Sequence, residues 1–259
     1  MTLIESFILG LIQGLTEFLP VSSSGHLEIG KAVLGLNHEE SLTFTVVVHG
    51  ATVLSTIIVF WKQLRVIISD FFKLSWNDAK IYVLKIIISM IPIAVVGAFF
   101  KEQVESLFSG NLVFVGSMLI VTAVLLGFSN YAVNRERSIG YFDSFIIGIA
   151  QAFAVLPGIS RSGATISTGL LLGNKKGDVA QFSFLMVLIP IIGANVVDFK
   201  DMETGNGNTD FMPLLVGFAT AFISGLLACK LMISIVKRSK LIYFAVYCLV
   251  IGTVAILLG

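Results

Sequence analysis

The residues able to do chemistry in this chain gather in two short polar runs. These are Pro20-Val-Ser-Ser-Ser-Gly25, followed by His26, and Pro157-Gly-Ile-Ser-Arg-Ser-Gly163. Gln13 and Glu17 lie behind the first run, four residues apart and so on one helical face. Glu17 is in turn four residues from Val21, where the run begins to turn, so its carboxylate and the His26 imidazole can share a pocket with Arg161. Arg161 is flanked by Ser160 and Ser162. A guanidinium fork among small hydroxyls and turned-in backbone N–H groups suits a phosphate, and a carboxylate with an imidazole supplies acid and base. Glu17, His26 and Arg161 with Ser22, Ser23, Ser24, Ser160 and Ser162 therefore form a constellation for phosphoryl transfer. The helix expected over Leu27 to Leu36 adds N-terminal amides to the anion site. Taken singly, Glu17 is explained as the partner of a buried arginine, His26 as a cap and the serines as partners for broken backbone. Convergence from two runs is what favours a site.

The elements that must position these residues are membrane helices. The chain is 56% hydrophobic and 13% charged, where a soluble domain is roughly 25% charged. Its 17 Lys and Arg nearly cancel its 16 Asp and Glu, which excludes a basic surface for nucleic acid and an acidic tail. Cys229 and Cys248 sit in separate apolar stretches without metal-ligand spacing. Glu5, Gln13 and Glu17 interrupt the N-terminal apolar stretch, so residues 1–30 are read as part of the mature protein rather than as a signal peptide. Six stretches are long and apolar enough to span a bilayer, at about 42–61, 81–100, 112–128, 179–197, 211–236 and 241–258. Residues 67–76 mix aromatic with charged residues and predict an interfacial amphipathic piece. Regions 3–36 and 141–173 are each broken by one of the polar runs. Irregular backbone survives at membrane depth only where protein or water satisfies it, so each break predicts a re-entrant helix pair lining a cavity, with a kinked span as the alternative.

The two broken regions are copies. Laying residues 6–25 on 144–163 pairs Ser6 with Ser144, Phe7 with Phe145, Ile8 with Ile146, Gly10 with Gly148, Gln13 with Gln151, Ser22 with Ser160, Ser24 with Ser162 and Gly25 with Gly163. Eight identities in twenty positions compare with about one expected from residue usage. The expectation is one membrane domain, 1–259, of two repeats, 1–130 and 139–259, each a re-entrant pair followed by three spans. Three is odd, so the second copy enters from the opposite side, an inverted-topology repeat. Under this arrangement Lys62, Arg65, Lys73, Lys80, Arg135, Arg137, Lys175, Lys176, Lys237, Arg238 and Lys240 share one side, and only Lys31, Lys101 and Lys200 take the other. Eleven against three makes the first side cytoplasmic and opens the first run outward. Lys85 and Lys230 are read as snorkelling near span ends, which leaves Arg161 as the cation stranded at depth. His49 is read as packing within its span rather than lining the cavity, and Glu28 as facing the outer mouth.

The run from Gln13 to His26, taken with Pro157 to Thr165, resembles the signature pair of the bacterial undecaprenyl-diphosphate phosphatases, the bacitracin-resistance family. Length, breaks and spans agree over essentially the whole chain. The resemblance implies an enzyme of the bacterial cytoplasmic membrane. It removes the terminal phosphate of undecaprenyl diphosphate, returns the monophosphate carrier to cell-wall synthesis, raises bacitracin resistance and is helped by Mg²⁺ or Ca²⁺. Gln13 and Glu17 take the two positions of the Glu/Gln-x-x-x-Glu motif, the expected metal pair, and Ser22, Ser23, His26, Ser160, Arg161, Ser162 and Thr165 take the other functional positions. His49 stands where relatives usually carry Gln, and Gln13 in place of Glu removes one charged ligand from any metal site. Either His26 activates Ser23 or water, or His26 itself attacks phosphorus. The rival is a secondary transporter of an anionic lipid or small anion, since inverted repeats with broken helices are also a transporter architecture. Gly217, Ala219 and Gly225 permit close packing within one chain or in a homodimer.

Overall fold

A computed structural model describes residues 1–36, 42–108, 110–133, 135–193, 195, 211–238 and 240–259. The described residues are helical, with no strand and one isolated bridge between Arg137 and Asn174. The helices are α1 (Leu3–Phe18), α2 (Ser23–Leu34), α3 (Leu42–Val59), α4 (Trp61–Phe71), α5 (Asp78–Phe99), α6 (Lys101–Ser106), α7 (Leu112–Ser129), α8 (Tyr141–Phe153), α9 (Arg161–Leu171), α10 (Lys176–Met186), α11 (Phe211–Lys237) and α12 (Ile242–Leu258).

Both polar runs break helices, and local chemistry explains how. Thr2 and Glu5 close a capping box at the start of α1, the Thr2 N–H donating to the Glu5 carboxylate at 2.7 Å. The helix stops at Leu19, which precedes Pro20 and is held extended at ψ 146°. Ser22, at a positive φ of 69°, then caps α2 by accepting from Gly25 N–H at 3.2 Å. The second copy repeats the design. The Gly140 N–H donates to Asp143 at 2.9 Å before α8, Pro157-Gly158 follows it with φ 100° at Gly158, and Ser160 caps α9 by accepting from Gly163 at 3.0 Å.

Four helices are long and apolar enough to cross a membrane: Asp78–Phe99, Leu112–Ser129, Lys176–Gly193 and Phe211–Lys237. A fifth arises if α3 and α4, bent by 76° at their junction, count as one span, and α12 reaches 17 residues. The expected span at 42–61 therefore ends at Val59, and the amphipathic helix begins at Trp61 rather than residue 67. The turn at Phe60 is hidden in an uninterrupted apolar run, which is why periodicity places it too late. α4 has no buried residue and exposes Trp61, Val66, Ile68 and Phe71. Residues 194, 196 and 197 of the expected span 179–197, and Lys200, lie outside the described residues.

The halves are interleaved. α1 packs on α11, while α8 packs on α5, so each broken hairpin leans on a long helix of the other half. Glycines permit the approach: a Cβ at Gly14 would lie 2.5 Å from the Ala221 carbonyl oxygen, and one at Gly148 would lie 2.8 Å from Ser89 Cα. α7 crosses α12 at a reciprocal glycine pair. A Cβ at Gly116 would sit 2.5 Å from the Gly252 oxygen, and one at Gly252 would sit 2.7 Å from the Gly116 oxygen. Gly217 faces Phe44 and Gly225 faces Ser55 and Phe18, so both serve packing within the chain, and Ala219 is exposed.

Candidate active site

The two breaks touch. Ser162 Oγ, at the start of α9, donates to the Leu19 carbonyl at the end of α1 at 3.2 Å. Each tip is pinned by a helix behind it. Thr122 on α7 accepts from Ser160 N–H at 2.9 Å and donates to the Gly158 carbonyl at 3.1 Å, while the Cys248 thiol on α12 donates to the Pro20 carbonyl at 3.7 Å. Cys248, featureless in the sequence, thus holds the first tip.

Glu17 is the hub. It is 6% exposed, and its Oε1 pairs with the Arg161 guanidinium. Its Oε2 accepts from Ser23 Oγ at 2.6 Å and from Gln13 Nε2 at 3.0 Å. His49 Nε2 stands 4.0 Å from the same oxygen. Ser23 and Arg161 open α2 and α9, so the first side chain of each second helix reaches the same carboxylate. Burying this charge is costly, and the hydroxyl and amide donors to Oε2 offset part of that cost while Arg161 takes Oε1.

These groups face a cavity of about 300 Å³. Glu17, Ser22, Ser23, Ser24, Ser160, Arg161 and Ser162 line it, as the sequence pattern predicts. Ser22 and Ser24 are linked at 3.3 Å, and Ser160 and Ser162 at the same distance, so each tip presents a hydroxyl pair. Apolar walls come from Val46, Ile93, Phe108, Val155, Val187 and Ile191.

Three expected site residues lie outside this wall. Gln13 is fully buried behind Glu17. Thr165 is turned back into its helix, donating to the Arg161 carbonyl at 2.8 Å and lying 2.6 Å from Ser183 Oγ. His26 does not enter the pocket that holds Glu17 and Arg161. Its Nδ1–H donates to the Ser22 carbonyl at 2.8 Å, which leaves Nε2 to accept the Tyr247 hydroxyl at 2.8 Å, and the two rings stack 5.5 Å apart. Tyr247 lies 221 residues away in sequence, and no local pattern announces it.

Other residues join the site against expectation. His49 lines the cavity, its ring aimed by Nδ1–H donation to the Thr45 carbonyl at 2.8 Å. Its signal was the rarity of histidine inside an apolar helix. Gln151, Thr16 and Asn195 also line the cavity. Gln151 was visible only as the repeat partner of Gln13. Glu28 is buried and accepts from Lys31 at 3.3 Å, and it does not line the cavity. Lys85 lies over the Tyr141 ring, 5.8 Å from its centroid.

The described residues contain no group of three His, Cys, Asp or Glu side chains able to cage a metal. A hard cation is commonly held by one or two carboxylates together with substrate phosphates, and Glu17 is the carboxylate that lines this cavity. Gln13 Oε1 is a buried oxygen without a hydrogen-bond partner beside the Glu17 carboxylate.

Residues 6–254 match the family model described as bacitracin resistance protein BacA. The chain belongs to that family. It is 56% identical over 259 residues to the undecaprenyl-diphosphatase of Bacteroides fragilis, covering 98% of this chain and 97% of that one. It is 55% identical over 260 residues to the undecaprenyl-diphosphatase of Parabacteroides distasonis, covering 99% and 98%. The protein of the same name from Methanococcus vannielii is 41% identical over 249 residues, covering 94% and 95%. Family membership thus extends over both broken hairpins and the helices that carry them.

Proposed function

We propose that this protein is an undecaprenyl-diphosphatase, an integral membrane hydrolase that cleaves the terminal phosphate from undecaprenyl diphosphate and releases undecaprenyl phosphate. The observation that carries the reading is the convergence of Glu17, Ser23 and Arg161 on one cavity, in a chain more than half identical, over nearly its whole length, to proteins of that name. The product is the lipid carrier of cell-wall synthesis, and because bacitracin sequesters the diphosphate, extra enzyme raises resistance.

In the mechanism, Arg161 turns from Glu17 to the diphosphate, and the hydroxyl pairs of the two tips with the first amides of α2 and α9 hold its oxygens. Glu17, released from the arginine, takes the Ser23 proton. Ser23 Oγ bonds to the terminal phosphorus as the bridging P–O bond breaks, and undecaprenyl phosphate leaves with the bond's electron pair. Water then hydrolyses the phosphoserine, with Glu17 passing protons, to give inorganic phosphate and restore Ser23. His26 shapes the first tip through the Ser22 carbonyl. A divalent cation carried by the diphosphate would be held by Glu17, with Gln13 fixing that carboxylate from behind, and would offset charge on the leaving phosphate.

The proposed membrane arrangement is six spans and two re-entrant pairs in an inverted repeat within the bacterial cytoplasmic membrane. The eleven-to-three division of cations supports it and puts the first tip toward the outer face, where polymerisation releases the carrier. The test is phosphate release from undecaprenyl diphosphate by the purified chain in detergent, with and without chelator. Release above background, reduced by the chelator, is expected. No release, in the absence of any gradient, would favour the transporter reading.

A further inference from the structure

Gln151 stands out in the cavity wall. It is 1% exposed, and neither its Nε2 nor its Oε1 has a hydrogen-bond partner among the described residues. Buried amides in native proteins are almost always paired, and an exception calls for an explanation. The repeat supplies an internal control. Gln13 holds the equivalent position in α1 and spends its Nε2 on Glu17, one turn further on. One turn beyond Gln151 the chain has Val155, which accepts nothing. The same residue is therefore kept in both copies, but in the second it has no partner among the described residues, and the side chain borders the space that Ser160, Arg161 and Ser162 also border.

We infer that Gln151 is a substrate-binding residue whose Nε2–H groups donate to phosphoryl oxygens of the bound diphosphate, alongside Arg161. A neutral carboxamide suits this place: it adds donors to a polyanion without a second buried cation, and Oε1 is left to accept from a water or phosphate hydroxyl. The inference rests on the proposed diphosphatase reading.

The experiment compares Gln151→Leu, Gln151→Glu and wild type, each as the purified full chain in detergent. KM and kcat are measured separately on a polyprenyl diphosphate, and Tm is measured with and without inorganic pyrophosphate. The leucine variant removes an unpaired polar group from a buried site, so its Tm is expected at or above the wild-type value. Its KM is expected to rise roughly ten- to a hundredfold, the range for one hydrogen bond to a charged group, and its pyrophosphate-induced rise in Tm to shrink. The glutamate variant, equal in size but negative, is expected to lose more. Wild-type KM and pyrophosphate response in the leucine variant would overturn the inference. So would wild-type kinetics in the glutamate variant with a lowered Tm in the leucine variant, because that pair of results assigns Gln151 to packing. The Tm response needs no turnover, so a wild type that binds pyrophosphate through Gln151 but releases no phosphate would sink the diphosphatase reading alone.

Discussion

The two hairpin tips are built on one plan and differ where the chemistry lies. Ser22 and Ser160 cap the second helix of each hairpin with the same bond, from Gly25 and Gly163 respectively. Ser24 and Ser162 complete equal hydroxyl pairs. Among the positions that differ are Glu17 against Val155, Ser23 against Arg161 and His26 against Ala164. Backbone breaks must be satisfied twice, so their residues are kept twice; a buried carboxylate needs only one arginine, so that pair is split, one charge to each tip. The asymmetry turns two similar hairpins into a single site.

Exchanging the unequal residues tests this division. Glu17→Val, which gives the first tip the residue of the second, is expected to have the largest effect. It removes the base and leaves the partly buried Arg161 without its partner, and phosphate release should fall by roughly a thousandfold or more. Thermal unfolding should also move to lower temperature, because the partly buried arginine loses its counter-charge. Arg161→Ser is the converse exchange; roughly a hundred- to a thousandfold loss in kcat/KM is expected, with weaker inhibition by inorganic phosphate. His26→Ala follows at about tenfold, the scale of one lost hydrogen bond, because the imidazole faces Tyr247 and not the cavity. A loss as large as that of Glu17→Val would place His26 at the phosphorus. The smallest effects belong to the positions that match. Gly10→Ala and Gly148→Ala crowd α11 and α5 in the same way, so each should cost about 1–3 kcal/mol in unfolding with similar shifts, and unequal shifts would break the parallel.

Much of this site is legible in the sequence because its causes are local. Pro20 and Pro157 mark the two breaks, a serine two or three residues later caps the next helix, and a shift of 138 residues aligns the two capping serines. Arg161 is legible by subtraction, as the cation left without an exit once the others are placed. What escapes is set by distant partners. His26 is drawn from the cavity by Tyr247, and His49 is brought to Glu17 by the packing of α3 on α1. Gln151 has the same identity as Gln13 and a different fate, decided by the residue one turn on. The bend at Phe60 escapes because both sides of it are apolar.

The exchange of partners between halves also has a consequence for how the chain is made. α1 emerges first, but the helix it leans on, α11, begins at Phe211, roughly 200 residues later. At about 5–20 residues per second, synthesis keeps them apart for on the order of 10–40 s. Through that interval the face bearing Gly10 and Gly14 has no α11 to cover it, and for most of it Glu17 lacks Arg161, which lies 144 residues downstream. Early in synthesis the first hairpin is therefore a polar-faced helix waiting in a lipid environment, and the membrane-insertion machinery must shelter it until the second half arrives.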